Sequence, residues 1–230
     1  AGDIMVLPAL LEGEAGLVMA GRSSVDYFTF NDPSLDGAIV FGKGDGDNFY
    51  VNTYGDRILI GGITATDNTD TQTLSTQAGY GVPDGGLNWF RYDGNTDVTN
   101  AGHGLNITLY GDVTYETGGS GNVGEKTTSN LNDLIWDVSK LTASTLGDTI
   151  NIFGGGYTLI DAGAGNDAIT ASNGSRFGSI LGGAGNDQLS LYVSTLTEGG
   201  NVVNAADAVT INGDTGTTDT LTILGGGTLT

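Results

Sequence analysis

The sequence predicts an all-β protein, a parallel β-roll or β-solenoid over residues 148–230 with an irregular β-rich half over residues 1–125. Three observations predict this. Glycine supplies 41 of 230 residues, more than twice its usual share of about 7%, so the chain is dense in turns. The acidity is aspartate in glycine-rich loops rather than glutamate on helix faces: of 27 acids only Glu12, Glu14, Glu116, Glu125 and Glu198 are glutamate, leaving 27 − 5 = 22 aspartates. Finally, Asp148, Asp167, Asp187 and Asp207 recur at steps of 19, 20 and 20 residues, with Ile150, Ile169, Leu189 and Val209 two places after each. An acid-turn followed by one apolar residue between two polar ones is a short strand with a single side chain turned inward.

From the N-terminus, Ile4-Met5-Val6-Leu7 and Leu10-Leu11 form an apolar stretch with no repeat partner evident in the chain. The acid-turn grammar reappears weakly over 42–60, where Gly44-Asp45-Gly46-Asp47-Asn48-Phe49 precedes Gly55-Asp56-Arg57-Ile58. Residues 64–78 are rich in Thr, Asp and Gln and read as a surface insertion. Asp93-Gly94-Asn95-Thr96-Asp97 opens like an EF-hand loop, but Val98 stands where its glycine belongs and Gly104 where its closing glutamate belongs, so it reads as a polar loop. Gly118–Gly124 reads as a linker. Residues 126–147 read as a linker carrying a short helix, because Leu131, Leu134, Ile135, Val138 and Leu141 fall at helical spacing behind a possible Asn130 N-cap. The repeats then occupy 148–222, and Gly225-Gly226-Gly227-Thr228-Leu229-Thr230 reads as a further edge.

The two clearest repeats carry a recognisable pattern. Gly182-Gly183-Ala184-Gly185-Asn186-Asp187-Gln188-Leu189-Ser190 fits Gly-Gly-x-Gly-x-Asp-x-apolar-x throughout, and Ala162-Gly163-Ala164-Gly165-Asn166-Asp167-Ala168-Ile169-Thr170 departs only at its first residue. Asn204–Val209 and Gly213–Leu221 are degenerate copies. This resembles the nonapeptide of the RTX, or haemolysin-type, calcium-binding proteins. The resemblance implies Ca²⁺ bound between stacked turns. The chemistry is consistent with that: glycine allows tight turns that aim carbonyls inward, and Ca²⁺ takes six to eight hard oxygen ligands. The candidate ligands are Gly163, Ala164, Gly165, Asp167, Gly183, Ala184, Gly185 and Asp187, with Asp45, Asp47 and Asp219 as further acids.

Other chemistries are excluded or unsupported. With Lys+Arg at 7 and Asp+Glu at 27 the formal net charge is −20, which repels phosphate backbones and argues against nucleic acid. Zero Cys and one His exclude disulfides and Cys/His zinc sites. No apolar run is long enough for a membrane-spanning helix. His103, between two glycines, lacks the elbow of a serine hydrolase and reads as a surface loop residue. Gly119–Gly124 spells a dinucleotide fingerprint, but no apolar-periodic helix follows it. The expectation is therefore a non-enzymatic, secreted, extracellular structural protein of a bacterial cell surface, within the surface-layer, filament or adhesin branch of the resemblance. It would self-associate head to tail or join other surface components. A carbohydrate-active β-helix enzyme, lyase or epimerase, is the alternative. Ala1-Gly2-Asp3 lacks a signal peptide's basic start, so a leader has been removed or the chain is part of something longer.

Overall fold

The computed structural model describes residues 4–6, 18–21, 25–42, 46–61, 87–111, 119–127, 130–136, 138–172, 175–192, 210–213 and 215–224. The expectations for Leu7, Leu10 and Leu11, Asp45, residues 64–78 and Asn204–Val209 lie outside these residues.

The chain is all-β, built from two sheets. One contains β1 (Ile4–Val6), β3 (Tyr27–Phe30), β5 (Asn48–Val51), β7 (Trp89–Arg91), β11 (Lys140–Thr142), β13 (Gly155–Asp161), β15 (Ser175–Leu181) and β17 (Thr210–Asn212), in that order. The other contains β2 (Val18–Ala20), β4 (Ile39–Phe41), β6 (Ile58–Ile60), β8 (Leu105–Gly111), β9 (Gly119–Glu125), β10 (Asn132–Trp136), β12 (Thr149–Phe153), β14 (Ala168–Ala171), β16 (Gln188–Tyr192) and β18 (Thr220–Leu224). Its spatial order is β18-β16-β14-β12-β8-β9-β10-β6-β4-β2. Successive strands alternate between the sheets except from β8 to β10. Among the described residues all strand pairings are parallel apart from those of β9, which runs antiparallel to both β8 and β10.

Register explains the core. Phe28, Phe49, Phe90, Leu141, Ile160 and Ile180 stand opposite one another across the first sheet, and Ile107, Ile150, Ile169 and Leu189 across the second. One apolar side chain per pass thus stacks on its neighbours, and together they belong to one buried cluster. The three phenylalanines lie nearly face on, with centroids 5.1 and 4.6 Å apart, which adds ring-stacking to the burial. The outward residues of the second sheet line up too, as in Thr108, Asn151, Thr170, Ser190 and Thr222.

Several expectations are corrected. The described residues of the N-terminal half are regular: β1 to β6 follow the same parallel alternation. Ile4–Val6 has a partner in its own chain, β3. Gly118–Gly124 is not a linker, since Gly119–Glu125 is β9; a Cβ on Gly121 would collide with the Thr108 carbonyl, so the glycine permits the antiparallel approach. The helix over 131–141 is absent. That stretch forms β10 and β11, with Leu131, Asp133 and Ile135 buried and Asn132 exposed. An inward-facing aspartate at 133 breaks the apolar alternation and leaves a spurious helical spacing. The EF-hand-like segment is instead the start of a helix, α1 (Thr96–Ala101), whose N-cap Asn95 Oδ1 accepts from Val98 N at 3.0 Å. Among the described residues no helix is long and apolar enough to cross a membrane.

Where β9 and β10 enter the second sheet, a buried polar cluster ties them down. Asp133 Oδ1 accepts from Arg57 N at 2.9 Å and pairs with the Arg57 guanidinium at 3.4 Å. Tyr92 OH donates to Asp133 Oδ2 at 3.1 Å. Arg57 also donates to the Thr53 and Tyr54 carbonyls and lies over the Phe30 ring.

Candidate metal centre

The two nonapeptide loops stack directly on each other. Ala164 and Ala184 form a parallel bridge; Gly165 N donates to Ala184 O at 2.7 Å, and Ala184 N to Gly163 O at 2.9 Å. Gly163, Gly165, Gly183 and Gly185 have φ of +96°, +129°, +90° and +139°, conformations that side chains disfavour. A Cβ on Gly183 or Gly185 would also run into the carbonyl of Gly163 or Gly165. The glycines therefore serve both the turn and the close stacking. Gly163 O and Ala184 O, expected to face an ion, each accept one amide along the stack and keep a second lone pair.

The aspartate closing each loop is buried and hydrogen-bonded to the pass before it. Asp167 Oδ1 accepts from Asp148 N at 2.6 Å, Asp187 Oδ1 from Asp167 N at 2.9 Å, and Asp219 Oδ1 from Asp187 N at 3.0 Å. The result is a carboxylate ladder at the entry to the second sheet. Asp148 and Asp167 are 0 and 1% exposed and Asp187 4%, whereas Asp219, immediately before β18, is exposed.

The rungs are not equally satisfied. At Asp148 both oxygens are occupied: Ser144 N donates to Oδ2 at 2.7 Å, while Ser144 Oγ and Leu105 N donate to Oδ1 at 2.7 and 2.5 Å. Four residues before Asp167 and Asp187 the serine is replaced by Gly163 and Gly183, and Oδ2 of each aspartate is buried without a hydrogen-bond partner. Leaving such an oxygen unmet costs about 1–3 kcal/mol, more when it is charged. Burial, reinforced by the neighbouring carboxylates Asp148 and Asp187, pushes Asp167 up to about 7 against the amide of Asp148. Burial pushes Asp148 up to about 6 against its three donors. Asp187 is raised by burial and then by Asp219.

These residues fit a hard divalent cation. Two adjacent rungs each present a carboxylate oxygen without a hydrogen-bond partner, the hard oxygen donor that Ca²⁺ prefers. Among the described residues no three His, Asp or Glu side chains converge on one point, so carbonyls would complete the shell. Ile169, Gly182, Asp187, Leu189, Gly213 and Asp219 also border a cavity of about 210 Å³ at this end of the ladder.

Asp47 is not brought to this ladder. It sits at the entry to the first sheet, in a second one that sequence reading missed: Asp26 N donates to Asp47 Oδ1 and Asp47 N to Asn88 Oδ1, both at 2.8 Å. Asp26, Asp47 and Asn88 each stand two residues before a stacked phenylalanine, and that Asp/Asn-x-Phe recurrence was the available signal. His103 lies in the loop before β8, half-buried. No protein-family model matches the chain, and no curated protein matches it.

Proposed function

We propose that this chain is a calcium-binding structural protein of a bacterial cell surface, secreted, of the surface-layer, filament or adhesin kind, and not an enzyme. Its two sheets would wind as a parallel β-roll that Ca²⁺ completes. The observation that carries the reading is the pair of buried, unpartnered Oδ2 atoms on Asp167 and Asp187 within loops stacked twenty residues apart. Asp167 and Asp187 would hold the ion with carbonyls of 163–165 and 183–185, and Asp219 would extend the row. A bound cation supplies the positive charge that the ladder lacks. The glycine turns fix the loop spacing, and the Oδ1 bonds hold each carboxylate in register whether or not a ligand is present. Head-to-tail association is the accompanying proposal, because among the described residues each sheet ends on a strand paired on one side only, and such edges recruit other strands.

The test is a calcium titration followed by calorimetry and circular dichroism, with Asp167→Asn/Asp187→Asn beside the unaltered chain. An amide keeps the Oδ1 acceptor but removes the anionic ligand. Binding with a gain of ordered β-structure, lost in the double variant, supports the reading. A chain whose spectrum and stability ignore both calcium and chelator refutes it.

A further inference from the structure

The outer face of the second sheet departs from the rest of this acidic chain. From β8, β12, β14, β16 and β18 no charged side chain points outward among the described residues, although the chain carries a formal −20. Thr, Asn, Ser and Gln fill most of those positions. One row is different. Tyr110, Phe153 and Tyr192 are 48, 53 and 44% exposed. Tyr110 and Phe153 are register partners, with rings stacked at 5.9 Å and an angle of 18°. Ser172, whose N–H donates to Ile152 O at 2.8 Å, occupies the row between Phe153 and Tyr192.

A single exposed aromatic needs no explanation. Three in one register, on a face otherwise lined mostly with hydroxyls and amides, form a stripe running across the strands. The inward core does not use these rings, and the carboxylate ladder lies on the loops. We propose that this face docks a neutral linear polysaccharide, laid across the strands along Tyr110, Phe153 and Tyr192.

Charge and area select that occupant. An anionic ligand would meet no cation on this face and a strongly negative chain around it. Five strands about 4.8 Å apart, each offering three outward residues about 6.7 Å apart, span about 20 by 15 Å. The strip that carries the aromatic row is by itself well short of the roughly 800 Å² per partner of a stable protein interface. A narrow glycan fits both limits. Sugar rings present flat C–H faces that stack on aromatic rings, and their hydroxyls pair with Thr, Ser and Asn side chains at the flanks. Aromatic faces with polar neighbours suit a partner that is apolar on one side and wet on the other.

Affinity electrophoresis tests this, in gels containing hydroxyethylcellulose, glucomannan or carboxymethylcellulose with calcium held constant. The last shares the backbone of the first but is anionic. The unaltered chain should be retarded by a neutral glucan and not by carboxymethylcellulose. Tyr110→Ser/Phe153→Ser should weaken retardation at least tenfold, with the single Phe153→Ser intermediate and thermal unfolding unchanged. Tyr27→Ser, on the outer face of the other sheet, should bind as the unaltered chain does. Absence of retardation in both neutral glucans overturns the proposal, as does equal retardation of the double variant or of the chain in carboxymethylcellulose. Sedimentation showing self-association that the double variant abolishes overturns it in favour of a second copy.

Discussion

The two aspartate ladders perform the same backbone task with different amounts of charge. At the entry to the first sheet, Asp26 and Asp47 are followed by Asn88, whose amide oxygen accepts the Asp47 N–H at the same 2.8 Å that Asp47 Oδ1 offers Asp26. Asp133, buried in β10, has a cation of its own in Arg57. At the entry to the second sheet, four successive rungs are carboxylates, Asp148, Asp167, Asp187 and Asp219. The cation acting on the inner pair is Lys126, which donates to the Gly147 carbonyl rather than to either carboxylate. Asn88 shows that the position requires an acceptor and not an anion. The charge of the C-terminal ladder therefore exceeds what its hydrogen bonds need, and that excess is what the proposed cation would offset.

The largest effect that distinguishes the halves is removal of the internal cation. Arg57→Met leaves Asp133 buried opposite Tyr92 with no positive partner, and breaking such a pair costs about 3–5 kcal/mol. Urea unfolding should show that loss equally with calcium and with chelator, because this half does not draw on the ion. A loss that calcium restores would mean that the two halves share one source of charge.

Next comes the pH dependence of the metal-free protein. Burial raises Asp167 to about 7 and Asp148 to about 6, above the unfolded value of about 3.9. A raised carboxyl pKa favours the folded state fully below the unfolded value, and the benefit is lost as pH climbs through the folded one. In chelator the chain should be most stable near pH 4 and should lose stability, on the order of a few kcal/mol, between pH 4 and 7. Saturating calcium should flatten or invert that slope, since a cation replaces the proton. Thermal melts across this range with and without chelator provide the check, and a profile rising toward pH 7 in chelator would contradict the ladder's electrostatics.

How much of this was legible depended on where glycine framed the aspartate. Asp167 and Asp187 stand in loops whose glycines are compelled by positive φ and by close stacking, so the chain spells the site out. Asp26 and Asn88 do the same work in Ser-Ser-Val-Asp-Tyr-Phe and Gly-Gly-Leu-Asn-Trp-Phe. Neither segment carries the Gly-x-Gly-x-Asp frame, and the long interval from Asp47 to Asn88 hides the period. β10 was misread because its inward position 133 carries an aspartate paired across 76 residues with Arg57, a contact that no local pattern announces. The antiparallel β9 was illegible for a related reason: glycines that allow a close approach look like a linker when the approaching strand is unknown.

A smaller effect separates hydrogen bond from charge within the C-terminal ladder. Asp167→Asn keeps an acceptor for the Asp148 N–H and removes the carboxylate flanked by Asp148 and Asp187. In chelator at pH 7.5 it should raise stability by about 1–2 kcal/mol, the worth of one relieved buried charge. Asp167→Ala, which also forfeits the hydrogen bond, should lower stability relative to Asp167→Asn by about 1 kcal/mol. Urea midpoints of the two variants in chelator measure both steps, and equal midpoints would mean that the Oδ1 bond contributes nothing.

The smallest predicted effect runs in the opposite direction and converts one ladder into the other. Asn88→Asp gives the first sheet three consecutive carboxylates, Asp26, Asp47 and the new one, with the acceptor geometry retained. The new charge adjoins Asp47, itself buried and bonded to position 88, so like charges meet at neighbouring rungs. In chelator at pH 7.5 the variant should lose about 1 kcal/mol, the same order as a single ladder hydrogen bond. It should regain that stability as pH falls toward 4, because a raised carboxyl pKa makes the protonated form the favoured one. The difference between the variant and the unaltered chain should therefore close as pH falls toward 4. If Asn88→Asp instead leaves stability and its pH profile untouched, position 88 tolerates an anion without compensation, and the argument that four carboxylates in a row demand a cation loses its reference point.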